Sequence, residues 1–251
     1  VTTLAIIGGT GLTQLETLTI TRREMVQTPY GEPSGPLTHG ELCGAQVVFL
    51  PRHGRAHTIP PHRVNYRANL WALQHIGVHH ILAVAAVGGI RDDMAPGVLA
   101  IPNQVIDYTY GRAHTFFDGD EKPVTHVDFT EPYCGMLRQA LIEAGNKAGV
   151  DPRSDGVYGA TQGPRLETAA EIERMAHDGC DLVGMTGMPE AVLARDLGLC
   201  YATCTVVANR AAGCVPGVIS MEEIDANLKT GMERVRGLLH EVVQIDLEHE
   251  H

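Results

Sequence analysis

The sequence is poor in groups on which several large protein classes depend. Aromatic residues fill only 5% of its 251 positions, with a single tryptophan, too few for a surface that stacks nucleic-acid bases. Positive charge is also scarce. Against 30 Asp+Glu stand 19 Lys+Arg, a formal net charge of −11, the wrong sign for wrapping a polyanion or lying on an anionic membrane. Six cysteines, at 43, 134, 180, 200, 204 and 214, are too sparse for a disulfide scaffold. The closest pair, Cys200 and Cys204, falls in an apolar run where strand geometry makes both packed small hydrophobes, as expected in a reducing cytosol. No apolar run approaches the ~20 residues that span a bilayer. Val1–Gly9 is too short and lacks the basic flank of a secretory signal. Metal-ligand spacing is missing too: His53 and His57 would meet on a helix, but Gly54 and Pro60-Pro61 make that stretch a loop.

What remains is globular. Hydrophobic residues at 44% with charged residues at 20% can bury a core, and 28 Gly with 14 Pro imply many tight turns. Short continuous apolar runs predict buried strands at 4–7, 45–50, 80–86, 98–101, 104–108, 156–161, 181–184 and 199–208. Helical spacing predicts helices over 64–76, 134–149, 167–176, 189–197 and from Ser220 to about Val243, the last opened by a Ser220/Glu223 capping box. Residues 111–132 are polar and aperiodic, a long loop of the kind that serves function or an interface. Strands alternate with helices from end to end, which predicts one α/β domain over 1–246, with 247–251 as a tag-like or disordered tail.

A regularity follows. Thr10, Arg52-His53, Gly88-Gly89, Met185-Thr186 and Asn209 each come directly after a buried strand. In open α/β sheets ligands bind beyond the carboxyl ends of strands, so these ends are expected to share one pocket. Gly8-Gly9-Thr10-Gly11 offers unobstructed N–H groups and a hydroxyl, suited to a phosphate, or else simply turns the chain. It lacks the third glycine of the dinucleotide fingerprint and the Lys-Ser/Thr of a Walker loop. Arg52 offers a fixed fork for an oxyanion, and His53 another hydrogen bond; a surface ion pair is the plainer alternative for Arg52. No Gly-x-Ser-x-Gly elbow is present. These features alone give a phosphate-handling α/β protein.

Longer motifs narrow this. Gly8-Gly-Thr-Gly11, Pro51-Arg-His-Gly-Arg-x-His57, Val64-Asn-Tyr-x-Ala-Asn-x-Trp-Ala-Leu73, Thr161-x-Gly-Pro-Arg165 and Met185-Thr-x-Met-Pro-Glu190 resemble the methylthioadenosine phosphorylase branch of the purine nucleoside phosphorylase family, over nearly the whole chain. The resemblance implies a single-domain fold with a central mixed, partly barrel-like β-sheet flanked by helices, assembled as a homotrimer in the cytoplasm. It implies phosphorolysis of a purine nucleoside, with inorganic phosphate as co-substrate and no metal or other cofactor. It puts phosphate on Thr10, Arg52, His53, Thr186 and the backbone of Ala86. It puts the ribose against Met185, and the purine among Leu166, Glu167 and the stretch Asn209-Arg210-Ala211. Leu166 stands where the family often has an aromatic residue. Catalysis falls to Arg52, His53 and Asn209. The 5′ group is expected near Met221 and His57, with His126 reaching in from a neighbouring subunit. The adenine-type pattern ends that strand in Asp-x-Asp, whereas here Asn209 and Ala211 replace both acids. An amide donates to O6, where a carboxylate would repel it. One buried polar group left unpaired costs roughly 1–3 kcal/mol. A 6-oxopurine with a methylthio group at the 5′ position, S-methyl-5′-thioinosine, is therefore the expected substrate. A methylthioadenosine phosphorylase, an inosine/guanosine phosphorylase, a non-catalytic nucleoside sensor and, from the N-terminal Gly-rich turn only, a dinucleotide oxidoreductase are the alternatives.

Overall fold

The computed structural model describes residues 4–12, 15–119 and 124–247. In chain order its elements are β1 (Leu4–Gly8), β2 (Thr19–Glu24), β3 (Leu37–Leu42), β4 (Ala45–Pro51), α1 (Tyr66–His75), β5 (His80–Gly89), β6 (Leu99–Ala100), β7 (Gln104–Asp107), α2 (Gly135–Lys147), β8 (Val157–Ala160), α3 (Ala169–His177), β9 (Leu182–Gly184), α4 (Gly187–Asp196), β10 (Cys200–Arg210) and α5 (Met221–Val242). The strands form one mixed sheet in the order β2-β3-β4-β1-β5-β9-β8-β7, with β10 joined to β5 and β6. Central strands β1, β5 and β10 pair in parallel and are buried on both faces, which is why they read as unbroken apolar runs.

Two expectations are corrected here. Strands and helices do not alternate throughout, because β1 to β4 follow one another without a helix. β2 and β3 pair antiparallel at the sheet edge; β2 is almost wholly exposed, and β3, though mostly buried, is built of Leu-Thr-His-Gly-Glu-Leu, so neither is an apolar run. Cys200 is not a lone packed hydrophobe: it is disulfide-bonded to Cys134 across 66 residues. The pairing is a product of tertiary packing. Cys134 caps α2 where that helix begins against the start of β10, and its N–H donates to the Tyr201 carbonyl at 2.8 Å. Cys204 is buried and free, as expected. Among the described residues no helix is long and apolar enough to cross a membrane. Of the tail, residues 248–251 lie outside the described residues.

The sheet opens where the site lies. β5 pairs with β1 only through Ala83 on one edge, and with β9 only from Gly88 on that edge. Between these points the edge of β5 has no strand partner, while β10 continues along its other side. Divergence of β1 from β9 therefore makes a crevice along a strand edge left out of the ladder, the kind of place where α/β sheets bind ligands. The turn after β1 crosses this gap so closely that a side chain is excluded. A Cβ on Gly9 would lie 2.5 Å from the Val84 carbonyl oxygen and 2.9 Å from Arg52 Nη1.

Candidate active site

The crevice is a cleft of about 420 Å³. Its lining brings together Thr10, Arg52, His53, His57, Ala86, Leu166, Glu167, Met185, Thr186, Asn209, Ala211 and Met221. These positions span most of the chain, and most of them sit at the ends of β1, β4, β5, β9 and β10, where buried runs give way to polar or small residues.

Arg52 emerges from β4 and is only 1% exposed. Its Nε and Nη2 donate to the two carboxylate oxygens of Glu190 on α4, at 2.6 and 2.7 Å. Nη1 donates to the Val84 carbonyl on the open edge of β5, at 2.9 Å. A guanidinium has five N–H donors, so one remains on each terminal nitrogen. Burial alone would lower the arginine's pKa, but the Glu190 carboxylate outweighs it and holds Arg52 protonated, above the usual arginine range. Glu190 is itself 0% exposed and also accepts from the Tyr201 hydroxyl at 2.8 Å. Burial first, and Glu190 next, push the Tyr201 phenol well above its ordinary range, so it stays a donor.

His53 follows Arg52 in a tight loop closed on itself: the N–H groups of Thr58 and Ile59 both donate to the His53 carbonyl. The ring is 6% exposed, and its Nδ1 lies 2.8 Å from the Ile59 carbonyl oxygen. Burial, then the Arg52 cation, bring the imidazole pKa down to about 4, so the ring is neutral near pH 7. His57 meets it edge-on, with ring centroids 4.9 Å apart.

Thr186 is buried at the N-cap of α4, and its side chain makes no capping bond to the helix. Its hydroxyl is thus not committed to a cap. The Met188 backbone is non-helical, so regular helix begins at Pro189, where the sequence placed it. Beneath this turn lies the fully buried Tyr158, whose hydroxyl accepts from the Thr186 N–H at 3.4 Å. A Cβ on Gly184 would come within 2.1 Å of that hydroxyl, which explains the glycine. On β5, alternate residues point their N–H and C=O to one edge. Val84 turns its carbonyl to Arg52, so Ala86 turns its N–H into the same gap.

At the far end of β10, Asn209 and Ala211 line the cleft. Asn209 Nδ2 donates to the Arg210 carbonyl at 2.7 Å, and an acceptor-only partner fixes which end of the amide is nitrogen. Oδ1 and one N–H remain. Glu167 Oε1 accepts from the Thr161 hydroxyl at 2.6 Å. Met221 opens α5 and is 62% exposed at the mouth, beside Ile219, Ile224 and Leu228.

Two expected residues are not in the cleft. Arg210 faces the other way, because strand alternation that turns Asn209 and Ala211 inward turns it out. Its guanidinium donates to the carbonyls of Ile90, Arg91, Asp92 and Met94 instead. His126 is exposed on the long loop and lines no part of this chain's cleft.

Three residues escaped sequence reasoning. Glu190 stood in a quoted motif without a role; an acid amid apolar neighbours, Met188-Pro189-Glu190-Ala191-Val192-Leu193, was its signal. Tyr158 gave none. Arg112 lies in the aperiodic loop and ties it to the site. It donates to the carbonyls of Met185 (2.8 Å), Met188 (2.6 Å), Thr161 (3.2 Å) and Gln162 (2.9 Å), fixing the turns after β8 and β9 together.

Comparison with known proteins shows the family: the chain belongs to the phosphorylase superfamily. A family model described as "Phosphorylase superfamily" matches residues 3–244. A relative from Pseudomonas syringae pv. tomato, named "Probable S-methyl-5′-thioinosine phosphorylase", is 53% identical over 96% of this chain and 98% of its own. One from Thermococcus kodakarensis, named "Probable 6-oxopurine nucleoside phosphorylase", is 44% identical over 96% of this chain and 91% of its own. Among solved structures, methylthioadenosine phosphorylase from Schistosoma mansoni in complex with adenine superposes with a TM-score of 0.93 at 33% identity, covering 97% of this chain and 91% of that one.

Proposed function

From its membership of the phosphorylase superfamily, to which this chain belongs, we propose that the protein cleaves S-methyl-5′-thioinosine with inorganic phosphate, giving hypoxanthine and S-methyl-5-thioribose 1-phosphate. The observation that carries the reading is the pairing of two ends in one cleft. An arginine with two uncommitted N–H groups marks an anion site, and an amide next to a methyl, Asn209 and Ala211, marks the base site.

Phosphate lies on Thr10, the Ala86 N–H, the free Arg52 N–H groups, His53 and Thr186, below C1′ of the ribose. As the C1′–N9 bond breaks, its electron pair leaves with the purine and the ribosyl carbon becomes cationic. The phosphate oxygen both stabilises that cation and forms the new C1′–O bond. Holding the anion in line is a proximity effect that supplies much of the acceleration. The departing base gathers negative charge and takes a proton at N7, balanced overall by the proton that hydrogen phosphate gives up on becoming the sugar phosphate ester. Asn209 Oδ1 accepts from N7–H, and its remaining N–H donates to O6. Glu167 keeps a free carboxylate oxygen for the N1–H that a 6-oxopurine carries and adenine lacks. Leu166 gives apolar contact in place of stacking. Met185 packs on the ribose, held by Arg112. The apolar mouth at Met221 takes the methylthio group, which an apolar wall favours over a hydroxyl by about 1–3 kcal/mol. His57 borders the same end.

The reaction as written draws on no metal or redox group. We assign the enzyme to the cytoplasm on the family resemblance alone, since the Cys134–Cys200 disulfide removes the argument from unpaired cysteines, and to a homotrimer in which His126 of one subunit borders the cleft of the next; its exposed place outside its own cleft supports that role. We read residues 1–246 as one catalytic domain, with 247–251 as a tail; the family match over 3–244 supports that reading.

The test compares initial rates on S-methyl-5′-thioinosine, S-methyl-5′-thioadenosine and inosine, each with and without phosphate. Methylthioinosine is expected to win, with turnover strictly dependent on phosphate. A tenfold advantage for the 6-amino substrate, or undiminished release of base without phosphate, refutes the reading.

A further inference from the structure

The anion end of the cleft carries less positive charge than its arginine suggests. Arg52 is matched by Glu190 through a bidentate pair. Thr10, Thr186 and the Ala86 backbone bring dipoles only. Glu167, farther along the wall, adds a negative charge. An anion is therefore held here by directed hydrogen bonds rather than by net charge. The outcome at each contact depends on which partner owns the proton.

At His53 the surrounding backbone settles that ownership. Nδ1 faces the Ile59 carbonyl oxygen at 2.8 Å, an atom that only accepts, so Nδ1 carries the hydrogen. In the neutral ring Nε2 then bears a lone pair, and it is the nitrogen left for the cleft that His53 lines. The charged and titratable groups against the ring are Arg52, with Glu190 behind it, and His57. Arg52 and His57 both favour the neutral ring, and burial, the largest cause, acts the same way.

We propose that His53 selects an oxyanion that brings its own proton: Nε2 accepts a hydrogen bond from the P–OH of hydrogen phosphate, whereas sulfate, of the same shape but fully ionised, meets lone pair with lone pair. The inference rests on the phosphorolysis reading above and adds to it a specificity-determining residue for the co-substrate. Sulfate can enter only by drawing a proton onto His53. Its affinity therefore falls as pH rises, by up to tenfold per unit above the pKa of the free ring. Hydrogen phosphate needs no such uptake.

Calorimetric titration of the full chain with sodium phosphate and with sodium sulfate tests this without turnover. Near pH 7.5 phosphate is expected to bind at least about tenfold tighter than sulfate, the cost of one unpaired buried contact. Lowering the pH by two units should tighten sulfate by one to two orders of magnitude, with proton uptake visible as a dependence of the heat on buffer ionisation. In His53→Gln the amide can turn an N–H toward either anion, and the ratio should collapse to within about threefold, chiefly by a gain in sulfate affinity. Sulfate within threefold of phosphate on the wild-type protein near pH 7.5, or a ratio unmoved by the substitution, overturns the proposal. The wild-type arm stands even if the variant does not fold. Equal binding of the two anions with phosphate-dependent turnover intact removes only the role of His53. Binding of neither anion removes the phosphorolysis reading with it.

Discussion

Glu190→Gln isolates the buried ion pair behind the anion site. The substitution preserves shape and removes one charge. In the native protein both carboxylate oxygens are in use: one takes Arg52 Nε, the other takes Arg52 Nη2 and the Tyr201 hydroxyl. Glutamine keeps one acceptor and turns an NH2 against a group that already donates. Both partners of the pair are 0–1% exposed, so water cannot repair the loss. Breaking a buried pair from one side typically costs about 3–5 kcal/mol. Against a total stability of roughly 5–15 kcal/mol that is a large fraction. At roughly 2–4 °C per kcal/mol for a chain of this size, the melting temperature should drop by about 6–20 °C. The signature of an orphaned Arg52 is in the response to ligand. A bound anion neutralises the charge left behind, so saturating phosphate should raise the Tm of the variant by more than it raises that of the wild type. Melts followed by circular dichroism, with and without phosphate, read both quantities. A variant that melts within a degree or two of wild type, or that gains no more from phosphate, would show that Glu190 does not compensate Arg52, and the account of the anion site would fail with it.

Two further outcomes follow from the same geometry. The His53 pKa, held at about 4 against an ordinary 6.5, means that folding favours the neutral ring; that stability is complete above pH 6.5 and is lost as pH falls from there toward 4. It amounts to about 3 kcal/mol, at about 1.4 kcal/mol per pKa unit, and urea melts of His53→Asn should show a flatter pH profile than wild type in that window; superimposable profiles would refute it. At the base end, Asn209→Asp with Ala211→Asp restores two acceptors, and the ratio of kcat/KM for 6-amino over 6-oxo substrates should rise about tenfold or more; an unchanged ratio would mean that base choice is made elsewhere in the cleft.

Sequence reading located the cleft because most of its lining sits where hydrophobic patterning stops. A buried parallel strand is an apolar run, and the first polar residue beyond it, whether Thr10, Arg52, Thr186 or Asn209, is by construction at the sheet's carboxyl edge. That logic needs only local sequence. It finds which residues reach the cleft and says little about their partners. Glu190 lies 138 residues from Arg52, and Cys134 lies 66 from Cys200, so both pairings are set by how α4 and α2 dock on β10. Arg112 acts through carbonyls of segments 49 to 76 residues away, and no periodicity marks a side chain that serves backbone oxygens. The edge strand β2 was missed for the opposite reason: with almost every residue exposed, it has no buried face to leave a pattern.

Within the last strand, local pattern alone assigns direction, and Arg210 shows what it cannot settle. Asn209, Arg210 and Ala211 are consecutive, so a strand admits the first and third to one face and sends the second to the other. The motif named all three together, while the alternation rule separates them. The outward residue is no spectator: by holding the carbonyls of residues 90, 91, 92 and 94, Arg210 anchors the turn that follows β5 to the end of β10. Those two strands supply Ala86 and Asn209, both of which line the cleft. On the binding roles proposed above, the distance between phosphate and base is set by parallel pairing of β5 with β10 and clamped at its open end by Arg210, which faces away from the cleft.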